Sequence, residues 1–281
     1  MPSSDVPRCT RRACLQAGSS VAAAVGLTGC LVFAEPYRET ADRTFDPGAA
    51  AELVVGTDSG DVTLTAGDVD VVEATVEKES RSGEDALDAV TVEGRVEADT
   101  LTVEPVWDDE SLNVTVSLDL TVPADLAVVD VSSSNGDVSA TGVTGDGTYE
   151  TTNGDVDLDA VDGYVTLEST NGDVRASGGT GLDGARTTNG DVSVDVPAMR
   201  GDVTCRSNNG DVTAAVPEDL DARVELWTSN GDADVSGVSM STETSSERRI
   251  EGTVSAGAGG RDPEHTLELR STNGDVTLLG L

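Results

Sequence analysis

Apolar and polar residues alternate with period two in short runs along most of this chain, and the runs fall into columns. The columns are set by an Asn-Gly-Asp motif, usually Ser/Thr-x-Asn-Gly-Asp-Val, with asparagines at Asn135, Asn153, Asn171, Asn189, Asn209, Asn230 and Asn273. The steps between them are 18, 18, 18, 20, 21 and 43 residues. Three residues after each Asn stand Val138, Val156, Val174, Val192, Val212, Ala233 and Val276. Four before stand Val131, Tyr149, Leu167, Ala185, Cys205, Leu226 and Leu269. Two before stands a Ser or Thr, and five after an Ala, Val or Leu. Spacing of two places one face of a strand inward, so each repeat predicts one strand leading into the motif and another leaving it. An eighth, degenerate copy runs from Leu53 to Leu64, with Ser59 in the Asn place.

A fixed period near 20 residues indicates a solenoid, because a single repeat cannot bury its apolar face alone. A hairpin array is the competing arrangement, since Asn-Gly is the strongest two-residue hairpin signal. Hairpins do not require one residue type in one column of every repeat. Parallel coils stacked about 4.8 Å apart do. The expected fold is an all-β parallel β-solenoid with coils of about 18–21 residues. Residues 133–281 form the repeats, and 51–132 an irregular N-terminal β cap with the first coil of the same domain. That cap is required because an open coil exposes unpaired edges. Residues 238–264 read as a polar, Gly-rich excursion, after which the chain returns for a last coil, Leu267 to Leu278.

Residues 1–30 read as a leader. Thr10-Arg11-Arg12-Ala13-Cys14-Leu15-Gln16 resembles the twin-arginine export motif, with Arg11 and Arg12 carrying the signal and Cys14 where Phe is common. The run from Ala17 to Leu27 is too short and too rich in Gly and Ser to span a membrane. Leu27-Thr28-Gly29-Cys30 resembles a lipobox, which implies lipidation of Cys30 and the membrane as a partner through that lipid. An uncleaved anchor helix would give the same external topology. Residues 31–50, with Pro36, Pro47 and Gly48, read as a tether.

The formal net charge is −36, and Lys78 is the only lysine. Such a charge repels itself at low salt and is screened at about 1 M, where the Debye length is about 3 Å. Acidic excess with almost no Lys resembles the proteins of salt-loving archaea. A nucleic-acid partner is excluded, since phosphate contacts need a basic face. Cys9, Cys14 and Cys30 lie in the leader, and Cys205 fills a core column as a small apolar side chain. One histidine, His265, makes neither a transition-metal cluster nor a nucleophilic triad.

Three segments carry a family resemblance: Thr121-Val122-Pro123-Ala124-Asp125-Leu126, Val216-Pro217-Glu218-Asp219-Leu220 and Ser271-Thr272-Asn273-Gly274-Asp275-Val276-Thr277-Leu278. The chain from 51 to 281 resembles the β-strand-repeat domains of unknown function labelled putative adhesins. The resemblance implies a right-handed, single-stranded β-helix outside the membrane and no established activity.

Candidate chemistry is sparse. The Asn column predicts an inward ladder of stacked side chains at the coil corners. Two residues after each Asn stands an Asp, including Asp137, Asp155, Asp173, Asp191 and Asp211. Stacked carboxylates about 5 Å apart repel by about 1 kcal/mol per pair in water. The repulsion is offset either by backbone N–H donors within each turn or by a weak row of cations, Ca²⁺ or monovalent. Outward Arg175, Arg186, Arg206, Arg223 and Arg270 could serve a β-helical polysaccharide lyase, and Trp107 and Trp227 could stack on sugars or form an apolar plug. Arg248 and Arg249 read as a solvated turn partnered by Glu243 and Glu247. The expected function is a lipid-anchored extracellular structural or adhesive protein without catalysis, partnered by a cell-envelope protein or polysaccharide. The alternative is a surface polysaccharide-binding protein or lyase. A deep groove lined by Arg and aromatics would favour the second, and uniform flat faces the first.

Overall fold

The computed structural model describes residues 35–108, 113–255 and 263–281. Arg11, Arg12 and Cys30 lie outside the described residues. The described chain is almost entirely strand, arranged in one sheet of 12 strands and one of 11.

Each repeat makes one rung of two strands joined at the Asn-Gly-Asp corner. The inbound strand of the 171 rung is Tyr164–Asn171, and its outbound strand is Val174–Ser177. All inbound strands lie in the 12-stranded sheet and all outbound strands in the 11-stranded sheet. Neighbouring rungs pair in parallel with like opposite like: Leu167 against Tyr149, Asn171 against Asn153, Val174 against Val156. Parallel pairing with column identity is what a solenoid gives and a hairpin array does not. The core lies between the sheets, where Val131, Tyr149, Leu167, Val156, Val174 and Val212 are fully buried. Each such Val or Leu stabilises the fold by about 1.5–3 kcal/mol through removal of apolar surface from water.

The degenerate copy is a full rung. Glu52–Thr57 and Val62–Gly67 pair with the strands of the 135 rung, and Leu53, Val55, Val62 and Leu64 are fully buried. Outside it stands a further rung, Thr100–Trp107 with Val114–Pro123, also parallel. Antiparallel strands continue outward from there. Val90–Glu97 extends the inbound sheet, and Val72–Ser80 then Tyr37–Phe45 extend the outbound one.

The expected tether, 31–50, therefore contains a nine-residue edge strand. Its sequence, Tyr-Arg-Glu-Thr-Ala-Asp-Arg-Thr-Phe, has almost no apolar face, and only Phe45 is buried. Backbone pairing and side-chain charges hold it instead: Arg38 on Glu79, and the buried Lys78 on Glu39 at 3.4 Å. Hydrophobic periodicity has no access to a strand of that kind.

Rung order departs from chain order at both ends. The expected last coil, Thr266–Asn273 with Val276–Gly280, lies between the 209 rung and the 230 rung, paired in parallel to both. The 230 rung is outermost. The excursion expected at 238–264 includes an antiparallel hairpin, Met240–Ser246 and Arg249–Val254, that extends the inbound sheet beyond that rung. At the other end the first rung in sequence, 52–67, is likewise second in space. The physical reason is column identity itself. A rung that matches every other rung can sit beside any of them, so columns specify stacking without specifying order.

Two of the connections that pass over a rung share one form. Val122-Pro123-Ala124-Asp125-Leu126 passes from the 100–123 rung over the 52–67 rung to the 135 rung. Val216-Pro217-Glu218-Asp219-Leu220 passes from the 209 rung to the 230 rung. In each, the Leu N–H bonds to the Pro carbonyl, at 3.1 Å and 3.2 Å.

Candidate functional site

The corner carries three hydrogen-bonded ladders. The innermost is the Ser/Thr column, buried at Ser133, Thr151, Ser169, Thr187, Ser207, Thr228 and Ser271. Each hydroxyl donates to the corner glycine carbonyl of the adjoining rung at 2.8–2.9 Å. Sequence reading put this column inward but gave it no task. The signal was present in the strict Ser/Thr choice at a core position, where an unpaired hydroxyl is costly.

The middle ladder is the asparagines. Their side chains are exposed along the corner rather than turned inward as expected. Along the order Asn135, Asn153, Asn171, Asn189, Asn209, Asn273, Asn230, each Nδ2 donates to the Oδ1 of the asparagine before it at 2.8–2.9 Å. The left-handed backbone at the corner belongs to glycine. Gly172 has φ +158°, and a Cβ there would lie 1.9 Å from the Gly154 carbonyl oxygen.

The outer ladder is the aspartates. Each Oδ1 accepts the backbone N–H of the equivalent Asp one rung on, at 2.7–2.9 Å, through Asp61, Asp137, Asp155, Asp173, Asp191, Asp211, Asp275 and Asp232. The donor comes from the neighbouring rung, not from the residue's own turn. Arg175 adds a cation, pairing with Asp173 and lying 3.5 Å from Asp155. Among the described residues no group of three or more His, Cys, Asp or Glu is placed to hold a metal.

The outward face of the inbound sheet holds most of the outward arginines. Arg186, Arg206 and Arg270 stand in register on three successive rungs. Trp227 follows in the same column, with the Arg270 guanidinium 4.4 Å from its ring centroid. Trp227 is therefore on the outer face, while Trp107 packs against the core. Arg186 pairs with Glu168, and Arg270 lies 3.5 Å from Glu268. Arg223 lies on the outermost rung with Glu225 and Glu243. Arg249 pairs with Glu251 and Glu243 lies 3.5 Å from Arg223, so among the described residues neither Arg248 nor Arg249 forms an ion pair with the expected Glu243 or Glu247. Beside the arginines runs a groove of about 750 Å³, lined by Glu150, Glu168, Thr170, Arg186, Thr188 and Arg206 among others.

Cys205 is fully buried, and burial pushes its thiol up to about 12, which leaves it protonated and unreactive at neutral pH. His265 contributes its backbone carbonyl to Arg223 N–H at 3.0 Å. Among the described residues no helix is long and apolar enough to cross a membrane.

Solved structures similar to this chain include a putative adhesin from Bacteroides fragilis NCTC 9343, at 15% identity and TM-score 0.49, covering 88% of this chain and 100% of that one. A putative cell adhesion protein from Clostridium sporogenes ATCC 15579 is similar at 10% identity and TM-score 0.38, with the same coverage. A putative lipid binding protein from Parabacteroides distasonis ATCC 8503 is similar at 12% identity and TM-score 0.35, covering 85% and 96%. No curated protein matches. Residues 51–279 match the Toastrack DUF4097 family, and the chain belongs to it.

Proposed function

We propose that this protein is a non-catalytic adhesive module of the cell surface, exported through Arg11 and Arg12 and held to the membrane by a lipid on Cys30. The observation that supports this reading is the unbroken asparagine ladder across seven rungs. It couples every motif rung to the next and makes a stiff stack that presents repeated side chains at fixed spacing. With nine parallel rungs about 4.8 Å apart, the stack is about 40 Å long. In the same reading the coil is right-handed, as parallel crossovers generally are, and the antiparallel strands at both ends act as caps against edge-to-edge association. The Asp column is corner chemistry, with one oxygen of each carboxylate from Asp61 to Asp275 along the stack taken by the backbone N–H of the next rung's Asp.

The test is binding of the purified protein to intact cells and to isolated envelope protein in molar salt. Retention on either supports adhesion, and retention on neither overturns it. A Cys30→Ser protein that still partitions into detergent like the wild type, with its leader removed, overturns the lipid anchor.

A second reading, binding of a surface polysaccharide, draws support from the groove beside Arg186 and Arg206. The lyase form of that reading draws nothing from Arg186, which is paired with Glu168.

A further inference from the structure

The arginine column exists only because of the rung order. Along the chain the equivalent positions read Arg186, Arg206, Trp227, Arg270. Stacked in chain order, Trp227 would separate Arg206 from Arg270. Insertion of the 273 rung between the 209 and 230 rungs brings Arg270 directly against Arg206 and places Trp227 beyond it. Like charges directly opposite on neighbouring strands are destabilising, and the chain has 53 acidic residues from which to supply counter-charges. Two of the three arginines have one: Glu168 for Arg186 and Glu268 for Arg270. Arg206, between them, pairs with no carboxylate among the described residues. Its guanidinium donates to Asn208 Oδ1 at 3.0 Å.

We propose that the Arg186–Arg206–Arg270 column is a docking track for an acidic polysaccharide, whose carboxylate or sulfate groups seat on Arg206 and bridge to its two neighbours. The proposal rests on the polysaccharide-binding reading above and names its ligand class and site. Charge carries it. A chain of net charge −36 repels a polyanion over most of its surface, so a run of three arginines, of which Arg206 pairs with no carboxylate among the described residues, sets where one can approach. Guanidinium takes carboxylate or sulfate through two parallel hydrogen bonds. Rungs repeat about every 4.8 Å, so the three guanidinium groups can take anionic groups carried along an extended polymer at that spacing or at twice it. Thr170, Thr188 and Asn208 line the groove beside the arginines and offer hydrogen-bonding groups for sugar hydroxyls.

The test is titration of the purified full-length protein with polygalacturonate and heparin as the acidic glycans, dextran as the neutral one and poly-Glu as an acidic peptide. The acidic glycans are expected to bind and dextran is not. Arg206→Gln should weaken glycan binding by about tenfold, the loss of one charge-assisted hydrogen-bonded contact. Arg175→Gln, on the opposite sheet, should leave it unchanged. Both arginines are exposed, so both variants should keep the wild-type melting midpoint, and that measurement confirms folding. Equal losses from Arg175→Gln and Arg206→Gln, or no loss from Arg206→Gln, overturn the track. Poly-Glu bound as tightly as polygalacturonate overturns the glycan assignment. If no acidic glycan binds while the protein still adheres to cells, the track fails and the adhesive reading stands.

Discussion

Among the described residues, Tyr149 is the one buried side chain with an oxygen or nitrogen left without a hydrogen-bond partner. It is fully buried between Val131 and Leu167, and its hydroxyl has no hydrogen-bond partner among the described residues. Burial also pushes its phenol well above the usual tyrosine range. An unpaired buried hydroxyl costs about 1–3 kcal/mol. Tyr149→Phe keeps the ring and removes the hydroxyl, so it should raise stability by about 1 kcal/mol in equilibrium denaturation. A fall in stability would mean that the hydroxyl has a partner. Gly172 is the opposite case. Its missing Cβ is what lets the Gly154 carbonyl approach, and that carbonyl accepts the Ser169 hydroxyl at 2.9 Å. Gly172→Ala should cost several kcal/mol, and a variant as stable as wild type would remove close approach as the reason for glycine in the motif.

Within a rung, the two faces of one strand should respond differently. Leu167 is fully buried, and the adjacent Thr166 faces out. Leu167→Asp should cost several kcal/mol by burying a charge, and Thr166→Asp under about 0.5 kcal/mol. Equal shifts of the denaturation midpoint would contradict the assignment of faces. Strands of this kind were legible in the sequence, because Val, Leu and Ala recur in columns that only stacking requires. The edge strand Tyr37–Phe45 was not, since backbone bonds and ion pairs hold it rather than an apolar face. The asparagine ladder was legible as a ladder but not in its exposure, because a repeated Asn stacks equally well inside or at a corner. The Asp column was misplaced in a similar way. Its acceptor role follows from the residue type, but the donor's origin in the next rung depends on tertiary stacking. In the proposed reading these backbone donors are what offsets the carboxylate row. Millimolar Ca²⁺ added under constant molar KCl should leave the melting temperature unchanged. An increase abolished by Asp155→Asn with Asp173→Asn would show that the row binds Ca²⁺.

At the scale of the whole molecule, the chain's first and last rungs are both inserted one place in from the ends of the stack. Antiparallel strands follow the outermost rung on both sheets beyond 100–123, and on the inbound sheet beyond the 230 rung. The arrangement keeps the final rung, 266–280, away from an exposed edge, where an unpaired strand would template association. The chain marks the two insertions with a shared Val-Pro-x-Asp-Leu connection, at 122–126 and 216–220, which passes over a rung where the turns between the 135 and 209 rungs step to the next one. Rung order decides which side chains become neighbours, and with it whether the arginine column exists. Cross-linking reads that order directly. Thr213 is in register with Thr277 on the inserted rung, and Thr277 is in register with Asp234 on the outermost one. Adjacent strands lie about 4.8 Å apart, within disulfide reach, and strands two rungs apart do not. In a Cys205→Ala background, which Ala185 shows the column accepts, Thr213→Cys with Thr277→Cys should oxidise to a disulfide found by peptide mapping, and Thr213→Cys with Asp234→Cys should not. A 213–234 disulfide with no 213–277 disulfide would mean that the rungs stack in chain order, and would contradict the account.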